Sequence, residues 1–307
     1  MTSTDIRPED FTELGKLELL ARQVVEGFVT GLHKSPFHGF SVEFAEHRLY
    51  NVGDNVKNID WKLFGKTERL YSKRYEEETN LRCYLILDAS SSMFYPEKGV
   101  NKFQFSALAA ASIINLLKKQ RDAFGLGIFA EEIELLSPAK STTVHQKFIY
   151  HELEKYLNSA SRSKKTNLAE NLHHIAESVS KRAMIVIFSD FFENFSGTEE
   201  LDEVFAALQH LKYNKHEVIV FDVLDKKHEV DFNFENRPYQ FVDAESGESV
   251  HLNPSVYAES YKQKMTAFLR ELDAKCGQYK IDLVHASIED GYNSILQAWL
   301  IKRGKML

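Results

Sequence analysis

The sequence predicts an α/β protein, a mainly parallel sheet flanked by helices, with a helix and a small β-rich region ahead of it. Three observations carry that expectation. From residue 81 onward, short apolar runs alternate with segments whose apolar residues recur at helical spacing. The runs Cys83–Leu87, Met184–Phe188 and Val218–Phe221 are apolar throughout, as strands buried on both faces are. Parallel strands also need long crossovers, and the intervening helical stripes supply them.

Each element has its own signal. Phe11, Leu14, Leu17, Val24, Val25 and Phe28 recur at helical spacing, which predicts an amphipathic helix over 8–32. Residues 37–80 are dense in charge and aromatics, with short alternating stretches at 41–44 and 70–75, and read as the small β-rich region. A strand over 83–87 ends at Asp88, and a helix over about 101–120 carries Ala109, Ile113, Leu116 and Leu117 on one face. A second strand at 124–129 is followed by a hairpin partner at 132–136. Two helical stripes follow, one through Ile149, Leu153, Tyr156 and Leu157, the other through Leu168, Leu172, Ile175, Ala176 and Val179. The strand at 184–188 leads to a helix marked by Leu201, Val204, Phe205, Leu208 and Leu211, then to the strand at 218–221. Residues 226–252 are a polar insertion with strand-like pieces. A long helix through Tyr257, Tyr261, Met265, Phe268 and Leu272, a strand at 281–284 and a helix near 291–302 complete the pattern. The expected division is 1–80 for the N-terminal helix and β-rich region, and 81–307 for the sheet domain.

Composition narrows the function classes. With 43% apolar residues, 22 Phe and 13 Tyr, the 307-residue chain can bury a core and is not a disordered sequence. A net charge of −7 favours neither nucleic acid nor an anionic membrane. Cys83 and Cys276 stand far apart with no metal-type neighbours, which suits a reducing compartment. The first residues lack the basic and apolar pattern of a signal peptide, and no run of about 18 apolar residues exists. The expected location is the cytoplasm, with no membrane insertion.

Ligands of parallel sheets bind beyond the carboxyl ends of the strands. The first strand runs into Asp88-Ala89-Ser90-Ser91-Ser92-Met93, the strand at 184–188 into Ser189-Asp190, and Thr166-Asn167 precedes a helix. Asp88, Ser90, Ser92, Thr166 and Asp190 thus offer oxygen ligands at one sheet edge, a set that suits Mg²⁺ or Mn²⁺ and not zinc. A plainer reading exists for four of them: Asp88 as a helix-start acid, and Ser90, Ser92 and Thr166 as helix caps.

These residues resemble the metal-ion-dependent adhesion site of the von Willebrand factor A family. Its Asp-x-Ser-x-Ser motif matches Asp88, Ser90 and Ser92, its loop threonine Thr166, and its later aspartate Asp190. The resemblance implies that hydroxyls hold the metal directly, that an aspartate acts through water, and that a partner's Asp or Glu fills an open position. A second signature lies upstream: Gly39 to Phe44, Arg48-Leu49-Tyr50, Gly53-Asp54 and Ile59-Asp60-Trp61. With Asp-x-Ser-x-Ser-Met and the segment Phe241–Glu248, it is similar to the bacterial domain of unknown function family 58 (DUF58), over about residues 37–300. That resemblance implies a partner, a MoxR-type AAA+ ATPase, and a role in protein-complex assembly or cofactor insertion. Within the signature, Arg48, Asp54, Asp60 and Trp61 read as a docking surface or, more simply, as an ion pair and an aromatic anchor.

Other signals carry less. Gly125-Leu126-Gly127-Ile128-Phe129-Ala130 fits a loose dinucleotide pattern but lies within a strand, not at a strand-to-helix turn. No P-loop string occurs, so any ATPase is a partner. The histidines show no zinc spacing, and no G-x-S-x-G elbow exposes a serine. The expectation is a binding module, not an enzyme. The alternative is a Mg²⁺-dependent phosphatase or phosphotransferase using Asp88, which would want a second acid at position 90 and a positioned lysine.

Overall fold

The structure, a computed structural model, describes residues 11, 15–32, 47–49, 61–67, 70–73, 81–158, 167–192, 198–244 and 247–304. The chain divides into two compact units, residues 31–80 and residues 1–30 with 81–307.

The larger unit is built on a six-stranded sheet in the order β10-β7-β6-β3-β4-β5. The strands are β3 (Arg82–Asp88), β4 (Ala123–Phe129), β5 (Ile133–Leu136), β6 (Met184–Ser189), β7 (Glu217–Leu224) and β10 (Asp282–Ser287). All neighbours run parallel except β4 and β5, which form the expected antiparallel hairpin. β3 through Leu87, β6 and β7 are buried at nearly every position, because helices cover both faces. One face carries α5 (Leu168–Ser178), α6 (Thr198–Tyr213) and α7 (Pro254–Gln278), whose Leu172, Leu208 and Leu272 pack with Ile86, Ile185 and Val220. The other carries α3 (Lys102–Lys119), with α4 (Thr143–Leu157) and α8 (Asn293–Gly304) beside it. α3 is buried almost all round because it lies between sheet and helices. Its start is fixed by a capping box, Asn101 and Gln104 each accepting from the other's backbone N–H.

While the division between residues 80 and 81 falls at the expected place, helix α1 (Lys16–Leu32) groups with this unit through residue 30. The reason is local. Leu17, Ala21 and Val25 are buried, and Glu154 of α4 accepts hydrogen bonds from the N–H groups of Gly15 and Leu17 at 2.8 and 3.4 Å. A carboxylate from another helix thereby serves donors that the helix start leaves open.

The smaller unit contains α2 (Trp61–Thr67) between β1 (His47–Leu49) and β2 (Tyr71–Lys73), which pair antiparallel. The expected stretch at 41–44, and Asp54 and Asp60 of the upstream signature, lie outside the described residues. In the polar insertion, β8 (Tyr239–Val242) and β9 (Ser249–Leu252) form the strand-like pieces as a hairpin.

Candidate metal and partner site

The sheet order reverses at β3. The chain moves from β3 to β4 and β5 on one side, then returns to β6 on the other. The crevice at such a reversal is where α/β sheets bind ligands, and Asp88 and Ser189-Asp190 end the two strands that flank it.

Asp88 is the last residue of β3 and is 1% exposed. Its Oδ1 accepts the Ser90 N–H at 2.9 Å and its Oδ2 the Ser189 hydroxyl at 2.7 Å. Burial, with the Asp190 charge adding to it, pushes the Asp88 carboxyl up to about 7. A short 3₁₀ turn over Ser91–Phe94 follows, with Ser90 at its N-cap, yet the Ser90 side chain makes no capping bond. Instead, Ser90 Oγ lies 3.0 Å from Ser92 Oγ. The capping explanation therefore fails for Ser90.

Asp190 follows β6 and is 2% exposed. Its Oδ1 accepts the Phe192 N–H at 3.2 Å and its Oδ2 the Lys102 ammonium at 2.7 Å. Phe191, between them, holds φ +53, a left-handed conformation costly for a bulky residue. Ser189 Oγ accepts its N–H at 3.3 Å, which helps to hold it there. Strain of this kind clusters at functional sites.

Thr166 lies outside the described residues. Its neighbour Asn167 caps α5, accepting the Glu170 N–H, and donates its own N–H to Ala130 just past β4. The cap role considered for Thr166 thus belongs to Asn167.

Three groups here escaped the sequence reading. Lys102, the first residue of α3, is fully buried and bridges Asp190 and Glu229. Glu229 comes from the π-helical turn 226–230 of the insertion. Burial pushes the Glu229 carboxyl up to about 7, against the pull of Lys102. Asp190 and Glu229 together hold the Lys102 ammonium above its ordinary range, although burial opposes it. Ser189 is the third, as a donor to Asp88. A signal for Lys102 exists: a lysine opening an otherwise apolar face, before Phe103 and Phe105. Glu229 has none, because a glutamate in a polar insertion is ordinary.

The two serine hydroxyls are joined by a hydrogen bond at 3.0 Å, and adjacent oxygens in a Mg²⁺ octahedron with bonds near 2.1 Å stand about the same distance apart. Among the described residues no group of three or more His, Cys, Asp or Glu is arranged to hold a metal.

The model of the family described as "Protein of unknown function DUF58" matches residues 46–268. The chain belongs to this family. An uncharacterized protein of Mycobacterium bovis and one of Mycobacterium tuberculosis are each 26% identical to the DUF58 chain over 220 residues, 72% of this chain and 67% of theirs. Among solved structures, an aerotolerance-related membrane protein from Bacteroides fragilis is 16% identical with a TM-score of 0.46, and covers 73% of this chain and 99% of its own. The conserved hypothetical protein BatB from Bacteroides thetaiotaomicron is 15% identical with a TM-score of 0.43 and the same coverage. At those values neither says what this chain does. Among the described residues no helix is long and apolar enough to cross a membrane.

The loose dinucleotide string has a packing explanation. Gly125 and Gly127 lie inside β4, where an added Cβ would come within 2.7 Å of Tyr84 Cδ1 and Ile86 Cδ1. They are glycines because β3 side chains occupy that space. Cys83 and Cys276 are free and buried, and burial pushes each thiol up to about 12, so neither is a reactive thiolate.

Proposed function

We propose that this DUF58 chain is a metal-dependent protein-binding module of the von Willebrand factor A type, acting in the cytoplasm and not as an enzyme. The observation that carries the reading is the pair of serine hydroxyls 3.0 Å apart at the sheet's reversal point, with buried Asp88 and Asp190 at the ends of the two strands that flank it. Ser90, Ser92 and Thr166 would hold Mg²⁺ or Mn²⁺ directly, with Asp88 and Asp190 acting through water. Uncharged direct ligands leave much of the cation's charge unbalanced, so a bound metal would draw a carboxylate from outside. That carboxylate is an Asp or Glu of a protein partner. The family resemblance supports a MoxR-type AAA+ ATPase as that partner, and assembly of protein complexes or cofactor insertion as the setting.

The alternative, phosphoryl transfer on Asp88, gains one point: Lys102 is a lysine near the site. That lysine is engaged by Asp190 and Glu229, both Asp88 oxygens accept hydrogen bonds, and position 90 is serine. Phosphoryl transfer on an aspartate wants a second acid two residues on and an available lysine, so the binding reading is the stronger.

Two measurements separate them. Calorimetric titration with MgCl₂ or MnCl₂ is expected to show binding that Asp88→Ala weakens at least about tenfold, or about 1.4 kcal/mol, with the circular dichroism spectrum preserved. Equal binding in the two proteins defeats the site. Metal-dependent turnover of phosphate esters that Asp88→Asn abolishes would establish the alternative.

A further inference from the structure

We propose that Lys102 and Glu229 set the cation affinity of this site with opposite signs, the internal ammonium lowering it and the insertion's carboxylate raising it. The inference rests on the metal reading above and goes beyond it by naming what tunes the metal.

A lysine at the first position of a helix ordinarily reaches solvent. Lys102 instead turns inward and is 0% exposed. Burying an ammonium is strongly unfavourable unless carboxylates meet it. Two do, from distant parts of the chain: Asp190 at the end of β6, at 2.7 Å, and Glu229 in the insertion. The Phe192 ring adds a third contact, 5.1 Å from the ammonium to the centroid. The ammonium takes Asp190 Oδ2 and the Phe192 N–H takes Oδ1, so Asp190 would offer a metal only a partly neutralised charge. Alone, Lys102 would oppose any cation beside Asp190, since like charges repel strongly where water is excluded. Glu229 returns a negative charge to the same cluster.

The insertion holds Glu229 in place. Glu229 Oε2 accepts the Asp225 N–H at 2.8 Å, and Asp225 in turn accepts the His228 N–H and the His228 ring at 3.1 and 2.7 Å. On its other side, the N–H groups of Lys226 and Lys227 donate to Glu289 after β10. The turn is thus seated between α3 and β10, and shifting it would withdraw a charge from the site.

The test is calorimetric titration of the full chain with MgCl₂ and with MnCl₂. Glu229→Gln is expected to raise Kd on the order of tenfold, and Lys102→Met to lower it by a similar factor. The double variant is expected to return within about threefold of wild type. A role in folding alone would weaken binding in both single variants, so opposite signs are the diagnostic, and melting in EDTA reports the fold separately. If Lys102→Met alone does not fold, the double variant compared with Glu229→Gln reads the lysine's sign. Shifts in the same direction, or none in Glu229→Gln, overturn the inference while wild-type binding keeps the metal reading alive. Absence of wild-type binding overturns the metal reading itself.

Discussion

A methyl group added at Gly125 would lie 2.7 and 2.8 Å from the Tyr84 ring and 3.0 Å from the Ser137 carbonyl oxygen. The ring is buried and the carbonyl is backbone, so neither gives way cheaply. At Gly127 the closest atom is Ile86 Cδ1, the far end of a flexible side chain. Gly125→Ala is therefore expected to cost about 2–3 kcal/mol and Gly127→Ala less, about 1 kcal/mol or below. Urea denaturation midpoints measure both, and equal losses would refute the packing account. The same pair shows what one residue's context adds. As a string these glycines suggest a phosphate loop, and as β4 positions they make room for β3. Ser90 teaches the reverse lesson, since its place before a helical turn suggests a cap and its hydroxyl turns to Ser92.

Helix starts show how elements are fixed from outside themselves. α3, α4, α5 and α7 are each capped by a residue at their own N-terminus, Asn101, Thr142, Asn167 and Asn253. α1 is different, because Glu154 of α4 accepts the N–H groups of Gly15 and Leu17. Glu154→Ala removes both acceptors and is expected to cost about 1–2 kcal/mol. Glu154→Gln keeps an oxygen acceptor and is expected to lose less. Hydrogen exchange of the amides at the start of α1 is the direct readout. Unchanged protection in Glu154→Ala would mean that burial of Leu17, Ala21 and Val25 alone holds the helix. Periodicity could find α1, but the separation of 139 residues between Gly15 and Glu154 leaves no local pattern for its anchoring.

At the scale of the molecule, the alternation of apolar runs and helical stripes was enough to read the parallel sheet, its hairpin edge and the crossing helices. Burial on both faces writes itself into sequence as unbroken apolar strands. The places of Asp88 and Asp190 at the ends of β3 and β6, with Ser90 and Ser92 just past β3, were legible because unbroken apolar runs lead up to them. Lys102 and Glu229 were not, since an ion pair across 127 residues follows from packing and not from spacing. The same holds for His285 on β10, whose Nδ1 lies 2.7 Å from Oδ2 of Asp222 on β7, and whose Nε2 lies 3.3 Å from Asp273 of α7. Asp222 is 0% exposed, and its Oδ1 has no hydrogen-bond partner among the described residues. The Asp222 hydrogen bond raises the His285 ring above its ordinary value near 6.5, against burial. The folded state therefore holds that proton more tightly than the unfolded chain. The resulting stabilisation is complete below pH 6.5 and disappears as pH rises through the folded-state value. Asp222 is raised by burial and so adds no stability at neutral pH that could offset the loss. With 34% of the His285 side chain exposed, solvent screening keeps the effect at about 1 kcal/mol or less. Urea unfolding of the wild type is thus expected to show stability falling above pH 6.5. His285→Gln is expected to flatten that slope and to lie below wild type at pH 6, because Asp222 stays buried without its cation. A variant that keeps the wild-type slope would show that other groups set the pH response.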